Sequence, residues 1–172
     1  MNARWLTDII ARRMDRLRLS RAPDVVIGGG ENPYMLRWFV IPRNRWLNIY
    51  HHVVVRDDDD RALHDHPWWS VSIILEGGMV EHYARLPSRA DESTYWFAHF
   101  RRFLEPGRIV GRRAASAHRL ELRNGLPCKT LFVTGPRIRE WGFHCPKGWR
   151  HWRDFTGFNQ TGDSTRIGPG CD

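Results

Sequence analysis

Residues 62–78 read ALHDHPWWSVSIILEGG. The run from Trp68 to Glu76 has the composition of a buried strand, and Gly77-Gly78 close it. In a strand, residues i and i+2 point to one face. If the strand begins by Leu63, His64 and His66 project side by side. Two imidazoles in one apolar wall are costly to bury unless each finds a partner. The pair is therefore either hydrogen-bonded lining or two adjacent ligands of a metal whose third ligand comes from elsewhere.

Outward from this stretch the chain keeps the rhythm of short strands. DVVI stops at Gly28, and YMLRWFVIP and WLNIYHHVVV follow. After Gly77-Gly78 come MVEHYARL, STYWFAHFRRFL, RIVGRRA, AHRLEL and CKTLFVTG, separated by turns at Pro106-Gly107 and Asn124-Gly125. Strands at such spacing predict an all-β sandwich or barrel. Ahead of them, residues 3–19 place Trp5, Leu6, Ile9, Ile10, Met14 and Leu17 at helical spacing, with Arg12, Arg13 and Arg16 mostly opposite. This amphipathic helix is expected to pack on the outside of the domain, and its basic face also suits an acidic surface. The expected division is a basic helix over 1–22, a barrel with a Trp/Arg-rich C-terminal segment over 23–155, and a loose tail over 156–172.

Composition narrows the function classes. The chain has 172 residues, 41% of them hydrophobic, and a formal charge of +8. That suffices for one domain with its own core. No apolar run approaches a membrane span, and no secretory leader is legible. The arginines are scattered and no nucleic-acid motif accompanies them, so a nucleic-acid partner is not expected. Cys128, Cys145 and Cys171 form no CxxC and read as reduced thiols of a cytoplasmic protein. The IGGGEN loop lacks a phosphate-loop pattern, and Asp57–Asp60 lack a calcium loop, so the latter reads as a solvated acidic turn.

The stretch resembles the first motif of the cupins, G-x5-H-x-H-x3,4-E-x6-G. Its histidines fall on His64 and His66 and its last glycine on Gly77, while Asp58 and Ser70 stand at the opening Gly and the Glu. In the second motif, G-x5-P-x-G-x2-H-x3-N, Gly107 and His118 match; Arg113, Ala115 and Leu122 do not. The resemblance covers residues 35–135. It implies a cupin double-stranded β-helix, a jelly-roll barrel, behind the N-terminal amphipathic helix. It further implies metal ligands His64, His66 and His118, with the family's carboxylate ligand replaced by Ser70.

Three neutral imidazoles leave a divalent ion its full charge, which favours an anionic substrate. Such a centre resembles the thiol dioxygenases and other Fe(II) oxygenases of this fold. Zinc, nickel and manganese are also compatible with it. Read as a two-residue hairpin, Gly77-Gly78 pairs Glu76 with Met79, Ser72 with Tyr83 and Ser70 with Arg85. That register adds Glu81, Tyr83 and Arg85 to the histidine face: Tyr83 as a donor to bound oxygen, Arg85 for a substrate carboxylate, and Glu81 as base, support for a ligand, or fourth ligand. One of His51 and His52 is expected to line the interior, and His144 to be structural.

The leading expectation is a mononuclear non-haem Fe(II) oxygenase acting on a small anionic molecule. Its rivals are a cupin isomerase, epimerase or lyase using His66 and Tyr83 as acid and base, and a non-enzymatic binding module. Exposed barrel edges and many tryptophans are compatible with a homodimer.

Overall fold

A computed structural model describes residues 4–28, 31–58, 62–85, 98–157 and 168–172. Helix α1 (Arg4–Ser20) precedes strands β1 (Val25–Ile27), β2 (Met35–Phe39), β3 (Asn48–Val54), β4 (Leu63–His64), β5 (Ser70–Glu76) and β6 (Met79–Arg85). There follow β7 (Ala98–Leu104), β8 (Ile109–Arg112), β9 (His118–Leu122), β10 (Cys128–Thr134), β11 (Gly142–Cys145), β12 (Gly148–His151) and the short helix α2 (Trp152–Thr156). Among the described residues the strands form two six-stranded antiparallel sheets, in the orders β1-β2-β3-β10-β5-β8 and β12-β11-β4-β9-β6-β7. This is the expected all-β architecture of two antiparallel sheets behind an N-terminal helix.

Period-two alternation divides the interior along the strands. At one end Met35, Val54, Ile74, Met79, Leu104, Val110, Leu122 and Cys128 form a closed apolar cluster. Two residues further along the same faces, the series continues Ile74 to Ser72 to Ser70, Val54 to His52, Met79 to Glu81, and Val110 to Arg112. All of these are buried. One end of the barrel is therefore an apolar plug and the other a polar chamber. Each fully buried aliphatic side chain in the plug contributes on the order of 1.5–3 kcal/mol.

Helix α1 covers the outer face of the first sheet. Thr7 and Met14 are its buried residues. Asp15 accepts from Lys129 Nζ at 3.0 Å, and Lys129 also reaches Glu76 at 2.5 Å. Beneath the helix His51 is buried, with its Nδ1 3.2 Å from the Thr130 carbonyl. His52 faces the chamber instead, where its Nε2 accepts from Arg37 Nε at 2.9 Å.

Four expectations are corrected. Gly77-Gly78 is not a hairpin turn, because β5 and β6 lie in different sheets and do not pair. The chain crosses between sheets there. Gly77 has φ +75°, and a Cβ on it would stand 2.4 Å from the Pro127 carbonyl oxygen, so only glycine fits. Second, Cys145 and Cys171 are joined in a disulfide, and only Cys128 is free. Third, residues 168–172 are not a loose tail. Besides the disulfide, Arg150 Nη1 donates to the carbonyls of Gly170 (2.8 Å) and Asp172. Residues 158–167 lie outside the described residues. Fourth, Asp57 and Asp58 do not form a merely solvated turn: Asp57 Oδ1 accepts from the Leu122 amide at 2.6 Å, and Asp58 faces His64. Asp59 and Asp60 lie outside the described residues.

Candidate metal centre

His64 and His118 stand directly opposite each other in the β4–β9 ladder. Strand β4 ends at His64, so His66 is not held by the strand continuation that i, i+2 spacing assumes. Its amide donates to the Ala114 carbonyl at 2.9 Å, and this returns its ring to the other two. The ring centroids are 5.0–5.1 Å apart in all three pairs. His66 Nε2 and His118 Nε2 are separated by 2.9 Å. One nitrogen of each ring lies within 4.8 Å of the others.

One carboxylate orients a ring through a hydrogen bond, and a second stands near another ring. Glu81 is 1% exposed, and its Oε1 lies 2.8 Å from His118 Nδ1. An ionised carboxylate only accepts, so Nδ1 carries the proton and Nε2 keeps its lone pair. Asp58 Oδ2 lies 3.3 Å from His64 Nδ1, an ion-pair distance without hydrogen-bond geometry. Carboxylates behind imidazoles fix the tautomer and raise the basicity of a metal ligand. The donor set therefore suits a divalent first-row ion.

The electrostatics keep the His66 and His118 rings neutral. Burial pushes the His66 pKa well below its usual value, and His64, His118 and Arg112 add to the effect. Burial likewise lowers His118, to about 3, with the Arg112 guanidinium next; its bond to Glu81 opposes the shift. For Glu81, burial alone would favour the protonated acid. The His118 hydrogen bond and the charges of Arg112 and Arg102 outweigh it and hold the carboxyl well below its usual range. Arg112 Nε donates to Glu81 Oε1 at 2.6 Å, and Arg102 Nε to Oε2 at 2.5 Å.

Between the two histidines Asp65 points the other way, 1% exposed. Its carboxylate accepts from the Gly142 amide (2.8 Å), Trp149 Nε1 (3.1 Å) and Arg139 Nη1 (2.7 Å), with His144 Nε2 at 3.3 Å. This clamp draws β11 and β12 against β4. Trp141 then lies 6.4 Å from His66 and nearly parallel to it, with Trp68 parallel at 6.1 Å and Phe143 beside His64. Trp69 is turned outward over Gly135.

The other expected residues are placed as follows. Tyr83 is opposite His118 in the β6–β9 ladder, and cross-strand partners share a face. Its ring stacks on Phe100, with the Arg102 guanidinium carbon 5.0 Å from its centroid. Arg85 closes β6 opposite Ala98, and its side chain lies outside the described part of the structure. Ser70 is buried on the chamber face of β5. Reasoning from motifs missed Asp58 and Asp65 as supports, and Arg37 and Arg112 as chamber residues. Alternation on β8 and β2 was the signal available for the arginines.

No protein-family model matches the sequence, and no curated protein matches it. Among solved structures, the DMSP lyase DddQ from Ruegeria pomeroyi DSS-3 is 16% identical, over 70% of this chain and 57% of that one, with a TM-score of 0.48. Fe(II) HppE in complex with substrate is 15% identical over 67% and 57%, with a TM-score of 0.49. A W96Y oxalate decarboxylase from Bacillus subtilis is 12% identical over 60% and 25%, with a TM-score of 0.43. The chain spans little more than half the length of the first two. Likenesses this distant carry no argument about chemistry; the fold rests on the strand order, and the site on its own geometry.

Proposed function

We propose that the chain is a metal-dependent enzyme of the cupin kind: a mononuclear non-haem Fe(II) oxygenase, dioxygenase-like, acting on a small anionic molecule. The supporting observation is the convergence of His64, His66 and His118, with the Glu81 carboxylate hydrogen-bonded behind His118; in the sequence, Ser70 stands where the resembled motif has its Glu. Neutral ligands leave an ion its full +2 charge and open positions. As Fe(II), the ion would supply Lewis acidity and one-electron chemistry with dioxygen.

The chain's own residues supply orientation, protons and exclusion of water. Glu81 holds the proton of His118 on Nδ1. Tyr83, on the His118 face, presents a phenol that can give a proton to a reacting oxygen. Trp68, Trp141 and Phe143 exclude water around the histidines. A second reading is a lyase, isomerase or epimerase with acid–base residues His66 and Tyr83; it is supported by Tyr83 pairing with His118, whose ring is 5.1 Å from that of His66.

Anaerobic loading with Fe(II), followed by admission of air, tests the proposal. Stoichiometric iron with an optical change in air and oxygen uptake is expected. Oxygen-inert iron would remove the oxygenase assignment. Activity that survives chelation would favour the acid–base reading.

A further inference from the structure

Arg112 is 7% exposed and lies inside the barrel. Its Nε is committed to Glu81 Oε1 at 2.6 Å and its Nη1 to Ser72 Oγ at 2.8 Å. Among the described residues its Nη2, with two N–H groups, has no hydrogen-bond partner. Directly across the β5–β8 ladder stands Ser70, 1% exposed, whose Oγ likewise has no hydrogen-bond partner among them. Buried donors left unpaired cost about 1–3 kcal/mol each. Two such groups, adjacent on one face, define a seat for an acceptor that the chain does not supply.

The charge count agrees. Glu81 is shared by Arg112, Arg102 and His118. Arg37, also facing the chamber, donates to His52 Nε2 and lies over the Tyr50 ring. The charges of both Arg112 and Arg37 reach His66. Among the described residues around the chamber, the guanidinium groups of Arg112, Arg37 and Arg102 thus face two carboxylates, Glu81 and Asp58. The seat is also one carboxylate oxygen away from the centre: the Glu81 Oε1 that binds Arg112 binds His118 too.

We propose that Arg112 Nη2 and Ser70 Oγ bind a carboxylate of the substrate, in the space that a glutamate side chain at position 70 would fill. The substrate class is then a small carboxylic acid with a second donor group turned toward the histidines. Two adjacent donor groups match a planar, singly charged, two-oxygen anion better than a phosphate with its higher charge and extra oxygens. The inference rests on the metal reading above.

The test titrates metal-loaded protein with lactate, with lactamide as the uncharged counterpart and inorganic phosphate as the competing anion. Metal content is measured separately. Wild-type protein is expected to bind lactate at least about tenfold more tightly than lactamide or phosphate, as a charge-assisted hydrogen bond implies. Ser70→Ala and Arg112→Lys should each weaken lactate binding about tenfold. Ser70→Glu should abolish lactate binding and tighten metal binding, because the tethered carboxylate takes the seat. Equal affinity for lactate and lactamide, or lactate binding unchanged in folded Ser70→Glu, would overturn the assignment. Lactate selectivity in a chain that takes up no metal would instead break the metal reading and leave the seat standing. Ser70→Glu decides the matter even if Arg112→Lys does not fold.

Discussion

Glu81 is ionised inside the barrel because three donors hold it: His118, Arg112 and Arg102. Each depends on the same carboxylate, so its loss is felt at the histidine and at two guanidinium groups together. Glu81→Gln keeps the shape but removes the charge that fixes the His118 proton on Nδ1. Zinc affinity by competition titration should fall about 10- to 100-fold, as for other partners behind metal ligands. At this scale the sequence was uneven evidence. The spacing of His64, His66 and His118 was legible because it follows a motif. Arg112 was not, because which of its donors stay unpaired depends on its neighbours on β5 and β6.

Among the elements, β4 is only two residues long, yet it carries His64 and borders His66. What holds it is the Asp65 carboxylate, with Gly142, Trp149, Arg139 and His144 around it. Removing one partner of a buried, paired charge costs about 3–5 kcal/mol. Asp65→Ala should lose stability on that scale in denaturant unfolding, and also lose metal, because β11 and β12 no longer brace the histidines. The pH dependence follows from the same bonds. Burial by itself would raise the Asp65 pKa, but His144, Arg139 and the Gly142 amide bring it below the ordinary 3.8. A carboxylate depressed in the folded state stabilises fully above 3.8 and loses that contribution as pH falls through the lower folded value. Asp65→Asn should therefore flatten the acid limb of the stability–pH curve. The β5–β6 connection illustrates what local pattern cannot carry. Two glycines between strands read equally as a hairpin or as a crossing between sheets. Only the distant partners, β10 and β8 for β5 and β9 and β7 for β6, decide it.

The barrel interior divides between an apolar plug and a polar end that carries the histidines. Leu104 is fully buried in the plug. Leu104→Ala should cost about 2–5 kcal/mol in thermal or denaturant unfolding, while metal stoichiometry in the folded protein stays at the wild-type value. At the chamber end, the link between Cys145 and Cys171 ties residues 168–172 to the sheet that carries the histidines. Thiol titration of denatured, unreduced protein should find one thiol, Cys128; three would contradict the link. Strand rhythm made the barrel legible, whereas cysteine pairing is tertiary and three sparse cysteines gave no hint of it.

Metal content tests the central claim most directly. Protein loaded anaerobically with Fe(II) and freed of excess should retain one ion per chain, and His64→Ala, His66→Ala and His118→Ala should each lose it. Wild-type protein that stays metal-free after loading, or folded histidine variants that retain the full ion, would contradict the account.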